Sequence, residues 1–212
     1  MKEETKKEIN KLIEEITLKP ELAIEGLRII QDNKGTDKYT WAKALGEIAQ
    51  EKPDLLLPYF TELQHLLDHP NNFIKWGGIA LIAELLRKKE ITTSDESYQE
   101  YMHLLEDKSM ITAANCAKGS VRILKNQPEL EEDITERLLK SAKHDFESKG
   151  KLSPECQNIY WGHLLDLFEE YYDLIGDKKR VLAFAASCCH NSRKAVAKKA
   201  GEFLKKHLLD FA

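Results

Sequence analysis

Leu66-Leu67-Asp68-His69-Pro70-Asn71-Asn72-Phe73-Ile74-Lys75-Trp76-Gly77-Gly78-Ile79-Ala80-Leu81-Ile82 is the stretch whose reading decides the fold. It closes one helix and opens another. Upstream, Pro53 starts a helix whose apolar stripe is Leu56, Phe60, Leu63 and Leu67. His69 precedes Pro70, and the proline ring disfavours α geometry in the residue before it. Asn71 or Asn72 then supplies a side-chain oxygen to cap the next helix, which carries Trp76, Ile79, Ala83 and Leu86.

The same grammar extends in both directions. Towards the N-terminus, Ile9, Leu12, Ile13 and Ile16 form an i, i+3, i+4, i+7 stripe. Pro20 opens a second helix that Asn33-Lys34-Gly35 stops, and Thr36 or Asp37 caps a third through about Glu51. Towards the C-terminus, Thr93-Ser94-Asp95-Glu96 fits a capping box. Ser109, Pro128, Ser153-Pro154, Gly176-Asp177 and Asn191-Ser192 open the remaining helices. The helix beginning at Pro128 is expected to run to 148. No segment alternates apolar and polar residues long enough to predict a strand.

A small-residue notch recurs at Ala44-Leu45-Gly46, Ala80-Leu81-Ile82, Ala117-Lys118-Gly119, Trp161-Gly162 and Ala200-Gly201, at intervals of roughly 35–45 residues. A period of that length holding two amphipathic helices predicts an α-solenoid. The expectation is an all-α, right-handed α-α superhelix of about eleven helices, forming a single repeat domain over 1–212.

Composition is compatible with this. The chain has 212 residues, 42% of them hydrophobic and 32% charged, as suits a folded helical protein. The charged start, Met1-Lys2-Glu3-Glu4, has no apolar signal core, and no run approaches the length of a membrane span, so a cytoplasmic location is expected. Cys116, Cys156, Cys188 and Cys189 show no CxxC spacing and read as reduced and structural.

The residues around Leu66-Leu67-Asp68, Ile74-Lys75 and Ala80-Leu81 resemble the HEAT family of the armadillo-type superfamily. Leu104-Leu105-Glu106-Asp107 with Ile111, Ala114 and Ala117 is similar, although Thr112 replaces the basic residue. Ser192-Arg193-Lys194 with Ala197, Ala200 and Phe203 is a looser likeness. The resemblance implies a scaffold or adaptor that binds a partner along a groove formed by inner helices; fold alone does not establish function.

Two surfaces stand out. Once core stripes are assigned, the inner helices leave Asp54, Thr61, Glu62 and His65, then Glu96, Gln99, Glu100 and His103, then Glu129, Glu132, Asp133, Glu136, Lys140 and Lys143; Glu62, His65, Glu100, His103, Glu132 and Glu136 are the expected contacts. These predict an acidic strip suited to a basic peptide or protein, because overlapping negative potentials concentrate cationic partners. The second surface follows from charge asymmetry. Net charge is −4, yet the last helices carry Lys178, Lys179, Arg180, Arg193, Lys194, Lys198, Lys199, Lys205 and Lys206 against Glu202 and Asp210. Lys194, Lys198, Lys199, Lys205 and Lys206 could meet phosphates, or form the polar cap a terminal repeat needs. Trp41, Trp76 and Trp161 read as packing between repeats.

The enzymatic alternative is the DNA alkylation-repair glycosylases, solenoids of similar length. Similarity to them would imply aromatic and acidic residues lining a basic DNA groove, whereas the inner surface expected here is mainly acidic. His65 and His69 have the i, i+4 spacing of helical metal ligands, but Pro70 turns His69 aside. Cys188-Cys189-His190 lacks a second ligand pair. No Gly-rich phosphate loop or GxSxG turn occurs. The expectation is a non-catalytic binding module without metal or cofactor, with nucleic-acid binding through the basic end as the alternative.

Overall fold

The computed structural model describes residues 3–32 and 34–208. Among them the fold is all-α, with eleven helices and one pair of two-residue strands. The chain divides into two compact units, the first ending at Ile91 and the second beginning at Thr92.

The first unit holds α1 (Glu3–Leu18), α2 (Leu22–Asp32), α3 (Asp37–Glu51), α4 (Phe60–Gln64) and α5 (Asn72–Leu86). The central helix α3 packs on α1, α2 and α5. Its core side chains Ala44, Leu45, Ile48 and Ala49 are all buried. The segment read as one helix from Pro53 is broken. It comprises two 3-10 turns (Pro53–Leu55 and Leu57–Tyr59), the five-residue α4 and a third 3-10 turn (His65–Asp68). Pro58 is the reason, since it offers no N–H and its ring clashes with the carbonyl of the preceding turn.

The second unit holds α6 (Glu96–His103), α7 (Met110–Leu124), α8 (Glu131–Ser141), α9 (Pro154–Tyr171), α10 (Lys178–Cys188) and α11 (Lys194–His207). A 3-10 turn, Leu104–Glu106, follows α6. Here α7 packs on α9, and α9 on α11. The helix expected over 128–148 ends at Ser141, and Glu147–Ser148 pairs antiparallel with Lys151–Leu152 as β1 and β2. Lys149 (φ 52°) and Gly150 (φ 73°) both take positive φ, the geometry of a two-residue hairpin turn that follows strand twist.

One turn is built three times. Before α5, His69 Nδ1 accepts from the Asn71 N–H at 3.0 Å. Before α7, Asp107 Oδ1 accepts from Ser109 N–H at 2.7 Å, and before α11, Asn191 Oδ1 accepts from Arg193 N–H at 2.8 Å. In each case the side chain two residues ahead of the N-cap fixes that residue in extended geometry (ψ 113°, 113° and 103°). Asn71 then caps the Phe73 and Ile74 amides, and Ser109 caps Thr112. The capping box expected at Thr93–Glu96 does not form. Asp95 is the N-cap residue, and its carboxylate turns back to the Thr92 amide and hydroxyl.

Not every notch glycine lies at a close approach. A Cβ at Gly46 or Gly201 would meet open space, whereas one at Gly162 would lie 3.1 Å from Val196 Cγ2. A Cβ would meet tighter approaches at Gly26, against the Trp41 ring, and at Gly78, 2.6 Å from Leu66 Cβ. Trp41, Trp76 and Trp161 are all half-buried.

Candidate functional site

Helix α8 forms one side of a broad groove in the second unit. Its first turn carries Glu131, Glu132 and Asp133 and its last turn Lys140, the arrangement that complements the helix dipole. Its buried side presents Ile134, Thr135, Leu138 and Ser141. Two α9 tyrosines hold that side by hydroxyl contacts, Tyr171 to Thr135 at 3.0 Å and Tyr160 to Ser141 at 2.8 Å. Trp161 Nε1 donates to the Ala142 carbonyl at 2.7 Å, and the Gly176 amide donates to Glu131. Burial pushes both phenols well above their ordinary pKa, so they remain protonated donors at any physiological pH.

On the other side, Tyr98 of α6 donates to Asp133 Oδ2 at 2.7 Å. Burial, and then the Asp133 carboxylate, raise that phenol's pKa. Arg137 Nε donates to the same carboxylate at 2.8 Å, and its Nη2 donates to Gln99 Oε1 at 3.0 Å. A satisfied network of this kind fixes both walls before any ligand arrives.

Between the walls lies an open groove of about 1100 Å³. Met102, Leu105 and Ser141 lie at its base, all buried. The sides carry Glu100, His103, Glu106, Asp133 and Glu136, and also Arg137, Lys140, Lys143 and His144. Glu106 accepts from Lys140 at 3.0 Å, and that hydrogen bond holds its carboxyl below the usual range. The strip expected to be mainly acidic is therefore amphoteric in this unit. On α8 the carboxylates Asp133 and Glu136 come first, and the cations Arg137, Lys140 and Lys143 follow along its second half and just past its end.

Three of the six expected contacts, Glu100, His103 and Glu136, line this groove. Glu132 is exposed on the first turn of α8, outside the lining. Glu62 and His65 belong to the first unit, exposed on α4 and the 3-10 turn after it. Sequence reasoning missed Glu106, Arg137 and His144. Arg137 could have been found as the i+4 partner of Asp133. His144 follows α8 at a point where a continuous helix was expected, and no local signal marked it.

The basic helix α11 is partly neutralised within its own unit. Lys199 Nζ donates to Asp166 at 2.5 Å and to the Gly162 carbonyl at 3.1 Å. Lys206 and His207 both engage Glu169. Burial raises the Glu169 pKa, and the hydrogen bonds from Lys206 and His207 more than reverse it, leaving the carboxyl low. Lys198 lies 3.7 Å from Glu202, and Lys194 and Lys205 are exposed. A smaller depression of about 440 Å³ between α7 and α9 already includes Asp166 in its lining.

His69 is buried, with Nε2 3.2 Å from the Ile30 carbonyl and Nδ1 accepting from Asn71, while His65 is exposed. The four cysteines are free. Among the described residues no group of three or more His, Cys, Asp or Glu side chains could hold a metal, and no helix is long and apolar enough to cross a membrane. No family model matches the chain, and no curated protein or solved structure matches it either.

Proposed function

We propose that the chain is a non-catalytic binding module of the HEAT-like solenoid type, acting in the cytoplasm, whose α6–α8 groove holds a basic segment of a protein partner. The observation that carries this reading is the groove itself. It is about 1100 Å³ and open to solvent, with a prebuilt polar wall and Glu100 and Glu136 on its sides. Most small-molecule sites are enclosed and smaller, about 300–1,000 Å³, whereas an open trough of this size suits a stretch of polypeptide. The solenoid reading draws support from the thrice-built turn before α5, α7 and α11. It also draws on the stacking of alternate long helices, α3 with α5 in one unit and α7 with α9 with α11 in the other.

Nucleic-acid binding through Lys194, Lys198, Lys199, Lys205 and Lys206 is the weaker reading. Asp166 and Glu169 already take up Lys199 and Lys206, which leaves fewer cations to displace counterions from a phosphate backbone.

Partner capture on the immobilised protein, with and without nuclease, tests the choice. The expected result is a protein that survives nuclease, is lost with Glu100→Lys/Glu136→Lys and is retained by Lys194→Glu/Lys205→Glu. Recovery that disappears with nuclease and with the α11 variant would transfer the function to the basic helix and reopen the DNA-repair alternative.

A further inference from the structure

The groove has two electrical poles, and their spacing says something about its occupant. Glu136 and Lys143 are exposed, and neither side chain has a hydrogen bond or ion pair among the described residues. Most other charges along the trough are engaged, Asp133 with Arg137 and Glu106 with Lys140. Glu136 lies in α8 and Lys143 in the turn just past its end at Ser141, so the two stand roughly 10 Å apart along the helix direction at about 1.5 Å per residue. Glu100 joins Glu136 at one end. At the other, Lys143 stands beside His144, which also lines the groove.

Resting on the binding reading above, we propose that the groove takes an extended segment of a protein partner that carries opposite charges about three residues apart. A basic side chain lies at the Glu100–Glu136 end and a carboxylate at the Lys143–His144 end. In a polyproline-type extended chain, side chains three residues apart lie on one side, roughly 9 Å from one another, which fits the span between the poles. A uniformly basic segment would satisfy Glu136 but would place a cation against Lys143. Like charges juxtaposed in this way discriminate against such a partner.

The test is a display library of random twelve-residue peptides, panned at low salt on the full chain and on the charge-exchanged Glu136→Lys/Lys143→Glu protein. The wild type is expected to enrich one basic and one acidic residue about three apart in a single order, and the exchanged protein the reverse order. A selected synthetic peptide should lose about tenfold in affinity on the exchanged protein. If circular dichroism shows the exchanged protein unfolded, Glu136→Gln and Lys143→Gln singly should each weaken that peptide. Peptides that are basic throughout, with any acidic residue replaceable by alanine at no loss, would overturn the two-pole proposal and leave the groove reading intact. Peptides indifferent to Glu100, Glu136 and Lys143, or no enrichment at all, would remove both.

Discussion

Gly77 and Gly78 are neighbours in α5 with opposite surroundings, and alanine at each should move stability in opposite directions. A Cβ at Gly77 meets nothing within 4 Å, and the residue is exposed. Alanine there gains helix propensity worth about 0.8–1.0 kcal/mol and loses no contact. At Gly78 the new methyl would lie 2.6 Å from Leu66 Cβ and 3.1 Å from the Leu66 carbonyl carbon and oxygen. Two of those atoms are backbone, so a rotamer change cannot relieve the overlap. Overpacking costs about 1–3 kcal/mol, and the crowding favours the upper end, so the net change should be a loss of roughly 1–2 kcal/mol after propensity is credited. The two variants should therefore separate by about 2–3 kcal/mol. Urea unfolding followed by circular dichroism measures this as midpoint shifts of opposite sign at unchanged slope. Equal stabilisation of both would refute the close seating of α5 on the 65–68 turn. Equal destabilisation would refute the exposure of Gly77.

Tyr160→Phe and Tyr171→Phe should each cost about 1 kcal/mol in the same assay, because each removes one buried hydrogen bond. The loss stays modest because Ser141 keeps its bond to the Leu138 carbonyl and Thr135 its bond to Glu131. Thiol labelling of the folded protein should proceed at Cys156 and Cys189, both half-buried, and stall at Cys116 and Cys188 until unfolding. Burial raises the pKa of both stalled thiols, that of Cys188 to about 11, so fast labelling of Cys116 in native buffer would contradict its packing. The lowered carboxyl of Glu169 stabilises the folded state above the unfolded carboxylate value of about 4.3, and that contribution fades as pH falls through the folded value. Melting curves between about pH 6 and about pH 3 should therefore fall more steeply for wild type than for Glu169→Gln. Parallel curves would place no weight on the Glu169–His207 contact.

Much of this fold was legible because helix ends are written in local chemistry. Ser153 caps the helix it was expected to cap, Asn71 is the cap of the two asparagines offered, and Ser109 caps the helix it was expected to open. His69 takes the extended geometry that the following proline imposes, with ψ 132°. Legibility failed where tertiary context decides. Which glycine sits at a helix crossing depends on how two helices meet, so Gly46 was indistinguishable in sequence from Gly26 or Gly78. The apolar stripe from Leu56 to Leu67 concealed the break at Pro58, and the pattern after Leu138 concealed the turn at Lys149–Gly150. In the groove, charged positions on α6 and α8 could be read as outward-facing. Lys140 and Lys143 were legible on the same face as the carboxylates; that Arg137 and His144 join them depends on where the 3-10 turn after α6 and the end of α8 place them.

The groove reading stands or falls on where a bound protein touches the chain. Hydrogen–deuterium exchange of a captured complex, read peptide by peptide against the free protein, locates that contact. Protection concentrated in 96–106 and 131–144, lost with Glu100→Lys/Glu136→Lys, is the expected result. Protection confined to 194–207, or to 60–68, with 96–144 unchanged, would contradict it.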